Sequence, residues 1–204
     1  MFSNHSAPVA TRRRPFWATR KRRAAIPVIA AGATLAAAAL AAAELPDVIA
    51  AAGETPIVTL HAEGAQVYEC KPDSSGKLAW QFREPIATLM SDGKTIGRHF
   101  AGPVWELDDG STVAGKVAAR APGATAADIP LLKLAATPQH DRGLLAGATT
   151  IQRINTRGGA AEGACDRAGT MLSVPYAADY AFYRKSKSTA GPNAMRAAEA
   201  AIRN

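Results

Sequence analysis

The sequence predicts an all-β fold: a single-domain antiparallel β-sandwich or barrel with one disulfide and a short C-terminal helical tail. Three observations carry that expectation. Apolar residues alternate with polar ones in short runs, the period of a half-buried strand and not of a helix. Turn residues separate the runs, as at Ser91-Asp92-Gly93, with Asp109-Gly110 the plainest hairpin signal. Roughly eight to ten such runs follow one another at the spacing typical of sandwiches and barrels.

The domain begins only after a leader. Arg12, Arg13, Arg14, Arg20, Lys21, Arg22 and Arg23 form a basic stretch, and residues 24–43 are apolar or small and end in alanines. That is the pattern of an export signal, with cleavage expected after Ala43. An uncleaved anchor is the alternative, but the alanine-rich core with Pro27 and Gly32 is weakly hydrophobic. Arg13-Arg14-Pro15-Phe16-Trp17 resembles a twin-arginine signal, so that route and the general secretory route both stay open. The predicted organisation is a signal peptide at 1–43, a linker at 44–54, a β domain at 55–184, and a linker with a helical or disordered tail at 185–204.

Charge belongs to the leader. Seven of the 24 basic residues lie there and none of the 17 acidic ones does, so the remainder carries 17 of each. The net charge of +7 is therefore no sign of nucleic-acid binding, and contact with the membrane is expected only in transit. The expected location is the periplasm or the extracellular space. There an isolated pair, Cys70 and Cys165, most simply forms a disulfide; two separate buried thiols are the alternative. Closing a loop of that length is worth about 4–5 kcal/mol in the chain-entropy model.

The strands follow in order. After residues 56–61, the glycine in Ala62-Glu63-Gly64-Ala65 suggests a turn, and residues 66–71 then place Tyr68 and Cys70 on one face. Leu78, Trp80 and Phe82 alternate with polar residues until Pro85, which is expected to end that strand. The next strand puts Ile96 and Phe100 on one side and Thr95, Gly97 and His99 on a polar one, until Gly102-Pro103 breaks it. Trp105 and Leu107 share a face, as do Val113 and Val117 across the Asp109-Gly110 turn. An apolar run at 128–134 precedes the longest strand candidate, residues 144–156, which is rich in β-branched residues. A glycine-rich loop leads to Cys165, and the last strand puts Tyr176, Tyr180 and Phe182 on one face. At the end, Pro192 suits a first helical turn, with Met195, Ala198 and Ile202 on one side.

Candidate chemistry concentrates in two places. His99 precedes the Gly102-Pro103 break, and Glu106 adjoins Trp105; a carboxyl beside an aromatic has a raised pKa when the ring shields it from water. Strand alternation argues against that contact, since neighbours point to opposite faces. Arg153 and Asn155 belong to the densest polar group on a strand, with Gln152, Thr156 and Arg157. A strand arginine must reach solvent, a carboxylate or a ligand, and an ion pair with Glu69, Glu106 or Asp179 is the plain explanation. His61, His99 and His140 have no metal-motif spacing, and no Gly-x-Ser-x-Gly elbow follows the leader, so neither a metal nor any other cofactor is expected. Trp80, Trp105, Tyr176, Tyr180 and Phe182 could platform a sugar, though most are expected in the core.

Several strings taken together resemble a family of exported bacterial and fungal proteins known as a domain of unknown function. They are Val67-Tyr68-Glu69-Cys70, Trp80-x-Phe82, His99-Phe100-Ala101-Gly102-Pro103-x-Trp105-Glu106, Asp109-Gly110-Ser111 and Ile129-Pro130-Leu131-Leu132. Ile151-Gln152-Arg153-Ile154-Asn155-Thr156-x-Gly158-Gly159, Cys165 and Tyr176-x-Ala178-Asp179-Tyr180-x-Phe182-Tyr183 complete the set. The resemblance spans about residues 55–184 and implies an exported domain with paired cysteines, but supplies no catalytic residues. Leu131 stands where the family commonly shows tryptophan.

The leading expectation is a non-catalytic envelope protein that binds a small molecule or glycan through His99, Trp105, Glu106, Arg153 and Asn155. The alternatives are a hydrolase or lyase built on His99 and Glu106, with Arg153 stabilising charge, and a structural or partner-binding protein.

Overall fold

The computed structural model describes residues 45–187. The export leader and the helical tail expected at the two termini lie outside the described residues.

Eight antiparallel strands follow one another around a closed barrel. They are β1 (Glu54–Pro72), β2 (Leu78–Ser91), β3 (Lys94–Phe100), β4 (Val104–Leu107), β5 (Thr112–Ala121), β6 (Leu131–Pro138), β7 (Thr150–Gly158) and β8 (Met171–Lys185). Each strand pairs with the next, and β1 closes the ring on β8 from Glu54↔Lys185 to Glu69↔Met171. Of the two expected architectures, the barrel is the one formed. Closure leaves no unpaired edge strand.

Strand alternation sets what lies inside. Leu60 and Ala62 of β1, Ala87 and Leu89 of β2, Trp105 and Leu107 of β4, Leu132 and Leu134 of β6, and Ala178, Tyr180 and Phe182 of β8 form one core. Two expected strand ends are absent. β1 runs straight through Gly64, because a side chain there would collide with Ala87 of β2: the glycine permits a close strand approach and makes no turn. β2 runs through Pro85, which sits opposite Gln66, with a register shift beside it that leaves Arg83 unpaired. The candidate strand at 144–156 is shorter than its composition suggests. Only Thr150 onward joins the sheet, while Leu145 turns inward, fully buried.

The stretch expected as a linker at 44–54 is in part packed structure. Asp47–Ile49 form a short 3-10 turn with Ile49 fully buried, and β1 already begins at Glu54. Gln152 Nε2 donates to the Ile49 carbonyl at 2.6 Å, and Lys133 Nζ to that of Ala50 at 2.7 Å. Both side chains alternate with inward residues, so this turn covers the outer wall at β6–β7.

The barrel's two ends are built differently. At one end the β4–β5 turn clamps the loop between β6 and β7. Asp109 accepts from Ser111 N and Oγ at 2.8 and 2.6 Å and from Leu144 N at 2.6 Å, seating Leu145 against the core. Burial pushes the Asp109 carboxyl up, but those hydrogen bonds outweigh it and hold the pKa below the usual value. At the other end two long connections frame an opening. The segment before β6 is pinned by Asp128, which accepts from Thr125 N and Oγ1 and from Gly158 N. The segment before β8 is held by the Cys70–Cys165 disulfide, whose Cα atoms are 5.9 Å apart across 95 residues of sequence.

Candidate functional site

Behind that opening lies a cavity of about 430 Å³ inside the barrel. Its floor is aromatic. The imidazole of His99 stacks on Trp105 with ring centres 4.3 Å apart and planes at 11°, and Tyr180 meets both rings, at 4.8 and 5.1 Å. Register explains the meeting: His99 pairs with Trp105 across β3–β4, so both point the same way, into the barrel. An indole fits there because β5, which sets Val113 opposite Trp105, follows it with Gly115 against the ring. A Cβ at Gly115 would lie 2.8 Å from the indole ring. Phe182 packs edge-on against Trp105, with ring centres 6.0 Å apart and planes at 87°.

His99 was expected on a polar face, and the structure reverses that phase: the residue is 2% exposed, and Arg98 and Phe100 are its outward neighbours. Its Nδ1–H donates to the Val104 carbonyl at 2.8 Å, which assigns the proton to Nδ1 and leaves Nε2 an acceptor. Burial pushes the pKa of His99 down to about 4; the bond to the Val104 carbonyl opposes this and the nearby Arg153 charge adds to it. The group is therefore a neutral imidazole at ordinary pH, a wall and not a charge.

The sides of the cavity carry the polar groups. Arg153 of β7 donates through Nε and Nη2 to the Pro130 carbonyl at 3.0 and 2.9 Å, so the loop before β6 fixes the plane of its guanidinium. Gln66 of β1, 2% exposed, also lines the cavity, and its Nε2 has no hydrogen-bond partner among the described residues. Tyr68 donates to the Gly159 carbonyl at 2.7 Å. Burial raises the hydroxyl pKa values of Tyr68, Tyr176 and Tyr180, with the Arg153 charge pulling the other way in each, so all three stay protonated. Phe82, 55% exposed, and Val117 stand at the mouth with Arg83 and Arg120.

The five residues picked out by sequence divide cleanly. His99, Trp105 and Arg153 line one cavity. Glu106 does not join them: it lies on the outer face, where Arg98 Nη2 reaches its Oε1 at 3.0 Å. Asn155 is outside as well, donating to Asp179 Oδ2 at 2.7 Å, and Asp179 in turn pairs with His61 at 2.8 Å. His99 and Glu106 thus sit on opposite faces of the wall and face no common substrate. Among the described residues no three His, Cys, Asp or Glu side chains gather as a metal ion would require. Sequence reasoning passed over Gln66 as a site residue, although it shares the inward phase of Tyr68 and Cys70. A polar residue in that phase was the available signal.

A family model described as a protein of unknown function, DUF3455, matches residues 50–95 and 90–184. Comparison with curated proteins found no match. Comparison with solved structures found none either. The match takes in every strand of the barrel, and the chain belongs to the DUF3455 family.

Proposed function

We propose that this protein is an exported, non-catalytic binder of a small molecule, which it holds inside its barrel. One observation carries the reading. A cavity of about 430 Å³, with walls more apolar than polar, ends on an aromatic floor and carries on its side a guanidinium, Arg153, that has no ion-pair partner among the described residues. The volume falls in the ordinary range of ligand pockets, and an eight-stranded barrel is wide enough for one small ligand.

Within that reading a small molecule suits the cavity better than a glycan. A sugar platform needs a free aromatic face, and His99 covers one face of Trp105 while Phe182 packs its edge. The hydrolase reading loses its acid-base pair, because His99 and Glu106 point to opposite sides of the wall. The partner-binding reading loses its edge strand, because the barrel closes on itself. Export draws support from the basic and apolar leader, and the disulfide is compatible with an oxidising compartment.

The test uses N-phenyl-1-naphthylamine, a neutral dye that brightens in apolar surroundings. Wild-type protein is expected to give saturable enhancement, and Val117→Trp, which fills the mouth, is expected to abolish it at unchanged melting temperature. No enhancement, or enhancement indifferent to Val117→Trp, counts against the proposal.

A further inference from the structure

We infer that the molecule held in this cavity is a small organic anion, with an oxyanion head against Arg153 and an apolar body over the Trp105–His99–Tyr180 floor. The inference rests on the reading of the barrel as a binder and adds the sign and position of the ligand's charge.

The wall's charge is one-sided. Arg83, Arg120 and Arg153 line the cavity, and among the described residues no aspartate or glutamate does. Arg83 is compensated at the mouth, by Glu84 at 3.1 Å and more remotely by Glu69 at 4.0 Å. Neither Arg120 nor Arg153 has an ion-pair partner among the described residues. The ion pair expected for Arg153 from the sequence is absent, since Glu69 pairs with Lys71, Glu106 with Arg98 and Asp179 with His61.

Arg153 is also held ready. Its bond to the Pro130 carbonyl orients the guanidinium without neutralising it, and the same guanidinium lies against the Tyr180 hydroxyl at the edge of the floor. A half-buried guanidinium beside an apolar floor is poorly hydrated, and a carboxylate or sulfonate there forms a charge-assisted bond about twice as strong as a neutral one.

With neutral His99 already donating to Val104, the cavity offers positive charge and no counter-charge among the described residues. A cation finds nothing to pair with here, and a neutral hydrocarbon leaves the Arg153 charge unpaired. An oxyanion answers it.

The experiment compares N-phenyl-1-naphthylamine with 1-anilinonaphthalene-8-sulfonate, which has the same scaffold plus one sulfonate. Full-length protein is expected to bind the sulfonate at least about tenfold more tightly at low salt, with the advantage shrinking as salt rises. Arg153→Gln is expected to erase that preference, lowering the sulfonate's affinity far more than the neutral dye's, and Arg153→Lys to keep part of it. Arg120→Gln, at the exposed rim, should weaken sulfonate binding less than Arg153→Gln does. If Arg153→Gln does not fold, Arg153→Lys and the salt series carry the test. Equal affinity for the two dyes, or a preference that survives loss of Arg153, overturns the inference while the binder reading stands. If the neutral dye is not bound at all, the binder reading itself has failed.

Discussion

The two ends of this barrel are made from the same strands and put them to opposite use. At the Asp109 end, Leu60, Leu89, Leu107, Val113, Leu145 and Phe182 fill the interior, and every one is buried. At the Cys165 end the same inward phase carries Gln66, Tyr68 and Arg153, and the interior is left open. The aromatic layer of His99, Trp105 and Tyr180 divides them. Stability belongs to the filled end, where apolar area leaves water without leaving donors behind. The proposed binding belongs to the other, where the wall orients the Arg153 guanidinium but gives it no ion-pair partner among the described residues. A sheet that closes on itself can serve both purposes, because its inward residues change character along the barrel axis while the hydrogen-bond ladder continues unbroken.

The largest expected effect breaks the filled end. Leu145→Ala removes a fully buried side chain from the plug and should cost about 2–5 kcal/mol in urea unfolding. Val117→Ala, at the exposed mouth, should cost under about 1 kcal/mol. Similar costs at the two positions would mean that the ends do not differ in packing.

The dividing layer gives a pH signature. The His99 pKa is lowered from 6.5 to about 4, so the unfolded chain binds the proton first as pH falls. Its share of stability is complete above pH 6.5 and is lost between there and pH 4, about 3 kcal/mol in all. His61, on the outer wall, has its pKa raised, with the hydrogen bond to Asp179 the main cause. The sign is then reversed: that stabilisation is present below 6.5 and disappears as pH rises through the folded value. Imidazole NMR should show His99 titrating near 4 and His61 above 6.5; a His99 that titrates normally would place it in water. The lowered carboxyls of Asp73, Asp109 and Asp128 act below 3.8, outside this window.

A smaller effect than that of Leu145 or His99 concerns the clamp. Asp109→Ala releases three hydrogen bonds at the β4–β5 turn and should cost about 1–2 kcal/mol. Amide exchange at Leu144 and Leu145 should quicken in that variant, while Gly158 and Gly159 at the far end stay protected. Uniform loss of protection would mean that the ends are not independently closed.

Much of this was legible in the chain, and the failures have physical causes. Alternation placed Tyr68 with Cys70, Trp105 with Leu107, and Tyr176, Tyr180 and Phe182 together, because inward residues in a barrel recur every second position. Turn chemistry found Asp109-Gly110. Gly64 and Pro85 were misread as breaks because local propensity does not reveal that a neighbouring strand comes close or that a bulge absorbs the missing donor. His99 was misread because a histidine looks polar, whereas stacking on Trp105 and a single carbonyl bond suffice to bury it neutral. Arg153 was recognised as a residue that needed a partner, but the pairing that excludes Glu69, Glu106 and Asp179 is a property of the closed sheet. Glu106 adjoins a cavity residue on the opposite strand phase, whereas Asn155 shares the phase of Arg153 and is turned outside by the register shift after Ile154, where its φ is 51°.

The central claim is that the open end receives a ligand and the filled end does not. Methyl NMR of the protein titrated with N-phenyl-1-naphthylamine tests it most directly. Shifts confined to Val117, Ile129, Leu132 and Leu134, with Leu60, Leu89 and Leu145 unmoved, are the predicted result. Shifts scattered over the exposed side chains of Ile86, Leu144 and Met171, or none at any cavity methyl, would contradict it.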